Sequence, residues 1–186
     1  MRKRFPVLAS ALLLIINFTG APAQSGSLSR GDSTPRYEVG GQVFAFKGHD
    51  LGLGWGGGGR FTYNINEYVA LDNEIDFFLP DEGPPYATEA LFGIKAGKHG
   101  KDVGIFVKAR PGFQTNFVVD GRSQSQFAFD VGVVGEVYPN RHLVLRGDVS
   151  DVIIPFGNNL VGSGIFAQRL GTTHNLQISF GLGVRF

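Results

Sequence analysis

The sequence predicts an all-β protein: an eight-stranded antiparallel up-and-down transmembrane β-barrel, carried by residues 37–186. Three observations predict it. From Tyr37 onward apolar residues recur with a period of two, the spacing of a strand with two different faces. Turn signals recur every 10 to 20 residues, and they separate eight such runs. The composition, with 28 glycines and 17 phenylalanines, disfavours helices and suits strands.

Two segments precede the barrel. Arg2, Lys3 and Arg4 form a basic start, Phe5 to Phe18 is a short apolar run, and Ala21-Pro22-Ala23 supplies a small-x-small cleavage pattern. Residues 1–23 therefore read as a secretory signal peptide; the run is too short for a membrane-spanning helix of about 20 residues. Residues 24–36 are polar and aperiodic, a flexible leader. Removal of the signal takes three of 17 basic residues and none of 16 acidic ones, so the net charge becomes 14 − 16 = −2. That balance argues against a nucleic-acid partner, which would want a dense basic face. It has no cysteine, and so no disulfide to stabilise an exported domain.

The strands are expected near 37–47, 52–65, 68–79, 88–97, 103–116, 124–138, 142–155 and 173–186. Their connections alternate. Asn64–Glu67, Lys98–Lys101 and Pro139–Arg141 are tight turns rich in Asn, Gly and Pro. Leu79–Ala87, Phe117–Ser123 and Phe156–Thr172 are longer, while the connection around Gly48-His49-Asp50 is short. Short turns at one end and longer loops at the other match bacterial outer-membrane barrels, whose short turns are periplasmic.

Sorting each strand into its two faces decides the solvent. The second strand sets Leu53, Trp55, Phe61, Tyr63 and Ile65 against Gly52, Gly54, Gly56, Gly58, Arg60, Thr62 and Asn64. The third opposes Val69, Leu71, Ile75 and Phe77 to Asp72, Glu74 and Asp76; the fifth opposes Val103, Ile105, Val107 and Phe113 to Lys108 and Arg110. The sixth and eighth repeat the division, with Asp130, Glu136 and Arg185 on the charged face. A soluble barrel would turn the charged face to water. A membrane barrel turns it into the lumen. The charged face is also rich in glycine, which weakens an exposed strand without return. In a narrow eight-stranded lumen, glycine makes room for long charged side chains. Strand length agrees: fourteen residues at roughly 3.3 Å each, tilted by about 45°, rise about 33 Å, enough to cross a bilayer.

The expected lumen set is Arg60, Asp72, Glu74, Asp76, Glu89, Lys95, Lys108, Arg110, Asp130, Glu136, Arg146, Asp148 and Arg185. Its near balance of signs predicts a cross-linked polar plug rather than a filter of one sign, because buried charges need partners or water. Tyr37, Trp55, Tyr63, Tyr68, Tyr138 and Phe186 lie towards strand ends and are candidates for aromatic girdles.

The signal peptide, the eight two-faced strands and the ending Leu176-x-Ile178-x-Phe180-x-Leu182-x-Val184-x-Phe186 resemble the small outer-membrane β-barrel family of the OmpA transmembrane-domain and OmpX type. The resemblance covers the chain from Tyr37 and is specific for architecture, not activity. It implies a monomer in the cell outer membrane, in contact with outer-membrane lipid and lipopolysaccharide. It also implies that Phe180, Leu182, Val184 and Phe186 form the signal read by the barrel-assembly machinery. It implies no cofactor and no wall-tethering role.

Sites of chemistry are sparse. Gly56–Gly59 before Arg60 lacks the Lys-Ser/Thr and following helix of a phosphate loop. Of the two Arg-Gly-Asp tripeptides, Arg146–Asp148 lies within a strand and Arg30–Asp32 within the leader. His49, His99, His142 and His174 are scattered without metal-site spacing. A Ser–His pair for lipid chemistry could be drawn as His174 with Ser163 or His142 with Ser150, but no motif supports either, and the expectation is no enzyme. Asp151, a charge on an apolar face, marks the rim, and Pro111 suggests a bulge. The expected role is structural, in envelope integrity or surface interaction; the alternative is a narrow passive pore.

Overall fold

A computed structural model describes residues 34–48, 52–80, 87–117, 123–156, 160–161, 168–169 and 171–186. The expected signal peptide and most of the leader lie outside these residues, as do Ser163 and most of the longer connections.

Eight long strands form the wall: β1 (Tyr37–Gly48), β2 (Gly52–Asn64), β3 (Val69–Leu79), β4 (Ala87–His99), β5 (Val103–Phe117), β6 (Ser123–Asn140), β7 (Leu143–Pro155) and, after two short strands, β10 (Thr172–Arg185). Each pairs antiparallel with its neighbour, and β10 pairs with β1 to close the barrel. Closure leaves no edge strand in the wall. The short strands β8 (Leu160–Val161) and β9 (Gln168–Arg169) pair with each other as a separate ribbon in the connection from β7 to β10.

The register fixes the geometry. Paired residues run once around the wall as Tyr37, Tyr63, Leu71, Ile94, Ala109, Val131, Asp151, Leu176 and Lys47. The circuit returns to β1 ten residues from its start, 47 − 37 = 10. Eight strands with that stagger tilt by roughly 40° and enclose a space that side chains fill. Strand tilt carries residues far apart in sequence to one level of the lumen.

The tight turns and the end of β10 share one end of the barrel. There Tyr37 N–H donates to the Phe186 carbonyl, and Phe186 N–H returns to the Tyr37 carbonyl, both at 2.9 Å. Asn66 organises one turn, its side-chain oxygen accepting from the N–H groups of Tyr68 and Val69. Asn140 does the same for His142 N–H. The bulge expected at Pro111 is not found. Its pairing to β6 is continuous, and the β4–β5 register is the same on either side of it. A proline removes one donor without adding a residue, so the ladder skips and does not slip. The register shift lies instead in β6, between Val137 and Asn140.

The two faces sort as the alternation predicts. Leu53 is 81 % exposed and Ile105, Phe180 and Val43 about two-thirds so, whereas Asp72, Arg110, Asp130 and Lys95 are fully buried. An apolar outer belt of this extent has no counterpart on a water-soluble monomer. The solvent it fits is hydrocarbon.

Candidate functional site

The charges expected of the lumen are all buried, each at most 6 % exposed. Period two puts them there: an inward carboxylate on β3 is followed two residues later by another, as Asp72, Glu74 and Asp76. Glu38 on β1 joins them, fully buried. The alternation of β1, which sets Val39 and Val43 outward and Glu38 and Gln42 inward, is the signal that would have found it.

Three clusters stack along the lumen. In the middle, Arg110 reaches three carboxylates: Nη2 to Asp130 at 2.6 Å, and Nη1 to Glu74 at 2.6 Å and Asp72 at 3.2 Å. Arg146 grips Asp72 with both terminal nitrogens, at 2.7 and 2.9 Å, and contacts Asp148 through Nε at 3.2 Å. Lys108 bridges Asp148 at 2.8 Å and Asp130 at 3.3 Å. Such two-pronged arginine contacts combine charge with fixed geometry. The loop closes through the lumen rather than along any strand, from Asp72 to Arg110, Asp130, Lys108, Asp148, Arg146 and back to Asp72.

Towards the turns lies the second cluster. Lys95 pairs with Glu136 and lies 3.8 Å from Glu38. Tyr138 donates its hydroxyl to Glu136 at 2.7 Å, stacks on His99 at 4.8 Å and lies beneath the Arg185 guanidinium at 3.9 Å. Tyr138 is thus a lumen residue, 5 % exposed, and not a girdle residue. It shares the parity of Asp130 and Glu136 on β6, and alternation outranks its place near a strand end. Tyr37 and Phe186 stack outside at 5.8 Å with Tyr63 beside them, and Trp55 faces outward towards the loop end. Glu38, His99 and Glu136, from three strands, present ligand atoms within 4.8 Å of one another. The Lys95 ammonium among them already supplies the positive charge, so this is an ion-pair cluster rather than a metal centre.

Towards the loops the character changes. Asp76 accepts from Gln42 Nε2 at 3.0 Å and Gln177 Nε2 at 3.4 Å, and Glu89 is its partner in the register. Around and beyond them the inward residues of β1, β3, β4 and β7 are mostly apolar, while β6 and β10 turn Gln126 and Asn175 inward. Phe44, Phe46, Phe78 and Ala87 form one buried group, with Phe78 edge-on to both other rings at about 5 Å. Leu91, Ala128, Val152, Ile154 and Phe156 form another. Both groups point into the loop end of the lumen. The inward glycines of β2 accommodate this filling: a Cβ on Gly54 or Gly56 would overlap the Phe46 or Phe44 ring, and one on Gly58 would overlap Asp76.

Of the two imagined catalytic pairs, His142 with Ser150 does not assemble, and Ser163 of the other lies outside the described residues. Ser150 faces the lumen, while His142 sits in the turn before β7, eight residues and about 26 Å away at the rise of a strand. His174 lies instead on the outer face, its Nδ1 2.6 Å from Asp151 Oδ2. That imidazole is the partner of the outward carboxylate, four residues from the loop end of β7.

No family model matches the sequence, and no curated protein matches it. Solved structures do. Neisserial surface protein A is similar with a TM-score of 0.57 at 13 % identity, over 81 % of this chain and 97 % of that one. The N-terminal β-barrel domain of Pseudomonas aeruginosa OprF is similar with a TM-score of 0.53 at 15 % identity, over 82 % of this chain and 99 % of that one. The fold is that of the small eight-stranded outer-membrane barrels.

Proposed function

We propose that the chain is a monomeric outer-membrane barrel whose wall and plugged lumen are a non-conducting scaffold, and whose loop end is its working surface. The single observation that carries this reading is the apolar stopper of Phe44, Phe46, Phe78, Leu91, Val152, Ile154 and Phe156 above a closed ion-pair network. Ions crossing the lumen would have to break buried charge pairs and then pass apolar side chains. Both barriers are steep in a low-dielectric interior.

With the scaffold inert, binding falls to the connections opposite the tight turns, because barrel loops vary without disturbing the wall. Residues 80–86 and 156–172 are the candidates, and the β8–β9 ribbon gives the second of these a paired backbone on which to present side chains. Lipopolysaccharide and outer-membrane lipid are the surroundings this reading assigns, and the barrel-assembly machinery is the partner during biogenesis. The closing strand supports that last role: Phe180, Leu182, Val184 and Phe186 all point outward, as a docking signal must. Envelope integrity or surface interaction, not catalysis, is the role proposed.

A narrow pore is the second reading. It is favoured by the guanidinium nitrogens of Arg60, none of which has a hydrogen-bond partner, since water would hydrate them. Single-channel recording of the mature chain in a planar bilayer decides between the two. Inserted, silent protein is expected, with or without Arg146→Ala. Discrete current steps altered by that substitution would refute the scaffold.

A further inference from the structure

The lumen's charges do not cancel locally. Among the described residues, eight carboxylates are buried there (Glu38, Asp72, Glu74, Asp76, Glu89, Asp130, Glu136, Asp148) against six cations (Arg60, Lys95, Lys108, Arg110, Arg146, Arg185), a balance of 6 − 8 = −2. Six of the carboxylates lie within 4.0 Å of a cation. The two without such a partner are Asp76 and Glu89, each 1 % exposed. They are direct cross-strand partners, Asp76 on β3 and Glu89 on β4. Directly opposed strand residues hold their Cα atoms about 5 Å apart, and both side chains enter the same stretch of lumen beneath the aromatic stopper.

Several unpaired acceptors lie there. Neither oxygen of Glu89 has a hydrogen-bond partner, and Glu74 Oε1 and Gln42 Oε1 have none either. The charged groups acting on this stretch are Glu74, Asp76, Glu89 and Asp130, together with Arg110 and Lys108. Arg110 is committed to Asp72, Glu74 and Asp130, and Lys108 to Asp130 and Asp148. A buried carboxylate with no partner is costly. Two side by side, with both cations that face them already committed, call for a counter-ion from outside the chain. Asp76 is in hydrogen-bond contact with the Glu74 carboxyl, whereas Glu89 makes no contact through which a proton could be shared with either.

We infer that Asp76 and Glu89, with the Gln42 side-chain carbonyl, form a binding site for a hard divalent cation of the calcium type inside the loop-end half of the lumen. Both carboxylates and an amide carbonyl offer five oxygens, the ligand chemistry of Ca²⁺. No nitrogen or sulfur ligand that would favour zinc or copper is among them. The Gln42 amide now donates to Asp76; half a turn about its terminal bond exchanges donor for acceptor and aims the carbonyl at the same space. The ion would tie β1, β3 and β4 together under the stopper, beside the connections proposed for binding.

The test is equilibrium dialysis of the folded mature barrel in detergent against radioactive Ca²⁺, after stripping with chelator during refolding. Folding of each variant is checked by its heat-modifiable gel mobility. The expected result is close to one ion per chain for the wild type and Glu38→Gln, and at least a tenfold weaker affinity for Glu89→Gln and Asp76→Asn. No bound Ca²⁺ in the wild type, or equal binding by Glu89→Gln, would overturn the site. Loss of binding in Glu38→Gln alone would assign the ion to the His99 cluster and overturn it equally. The carboxamide variants remove buried charge without changing shape, so folding should survive in both.

Discussion

Replacing Arg110 by methionine tests whether the lumen network holds the barrel together. The side chain touches Asp130, Glu74 and Asp72. The three losses are unequal. Asp72 keeps its two-pronged contact with Arg146, Asp130 keeps Lys108 at 3.3 Å, and Glu74 loses its only cation. Breaking a buried pair by removing one partner costs about 3–5 kcal/mol, because the survivor is left charged and dry. Arg110→Met should therefore destabilise by about that amount, chiefly through Glu74. Arg110→Met with Glu74→Gln should recover most of it, since removing both charges of a buried pair is often neutral. Urea unfolding in lipid vesicles, followed by fluorescence, measures both. Trp55 is the sole tryptophan and faces away from the lumen, so the probe is independent of the network. A single variant within about 1 kcal/mol of wild type, or a double variant no better than the single, would refute the reasoning.

Neighbouring glycines of β2 should respond oppositely. Gly58→Ala drives a Cβ into the Asp76 carboxylate and the Ile75 carbonyl and should cost about 1–3 kcal/mol, whereas Gly59→Ala meets nothing nearer than 3.8 Å and should gain up to about 1 kcal/mol; the same urea titration reads both. Phe186→Ala removes a lipid-facing ring stacked on Tyr37 and should slow assembly in cells severalfold while leaving spontaneous refolding into vesicles nearly unchanged. An equal loss in both settings would make Phe186 a packing residue and not an assembly signal.

How much of this was legible in the sequence depended on whether the information was local. The strands and their inward charges were, because alternation is a property of each strand alone: Asp72, Glu74 and Asp76 declare their face without reference to any other strand. Partner choice was not. Asp72 meets Arg146 across 74 residues and Lys95 meets Glu136 across 41, and these meetings are set by a stagger of ten that only closure of the barrel defines. Tyr138 was misplaced when proximity to a strand end outweighed parity. The stopper was hidden for a related reason: Phe44, Phe46 and Phe78 are apolar residues on the polar face, and a reading that expects apolar side chains outward has no place for them until the loop end of the lumen is seen to be filled. The outward Asp151 and the lone His174 became one feature only when the register of β7 and β10 brought them together.

The inside-out arrangement of the wall is the claim on which the rest depends, and Trp55 tests it directly. The refolded barrel is placed in vesicles whose acyl chains carry bromine, and its fluorescence is compared with that in unbrominated lipid and in aqueous iodide. Quenching by the brominated chains, with little by iodide, is the predicted result. Quenching by iodide with none from the lipid would place the apolar face in water's reach and contradict a membrane barrel.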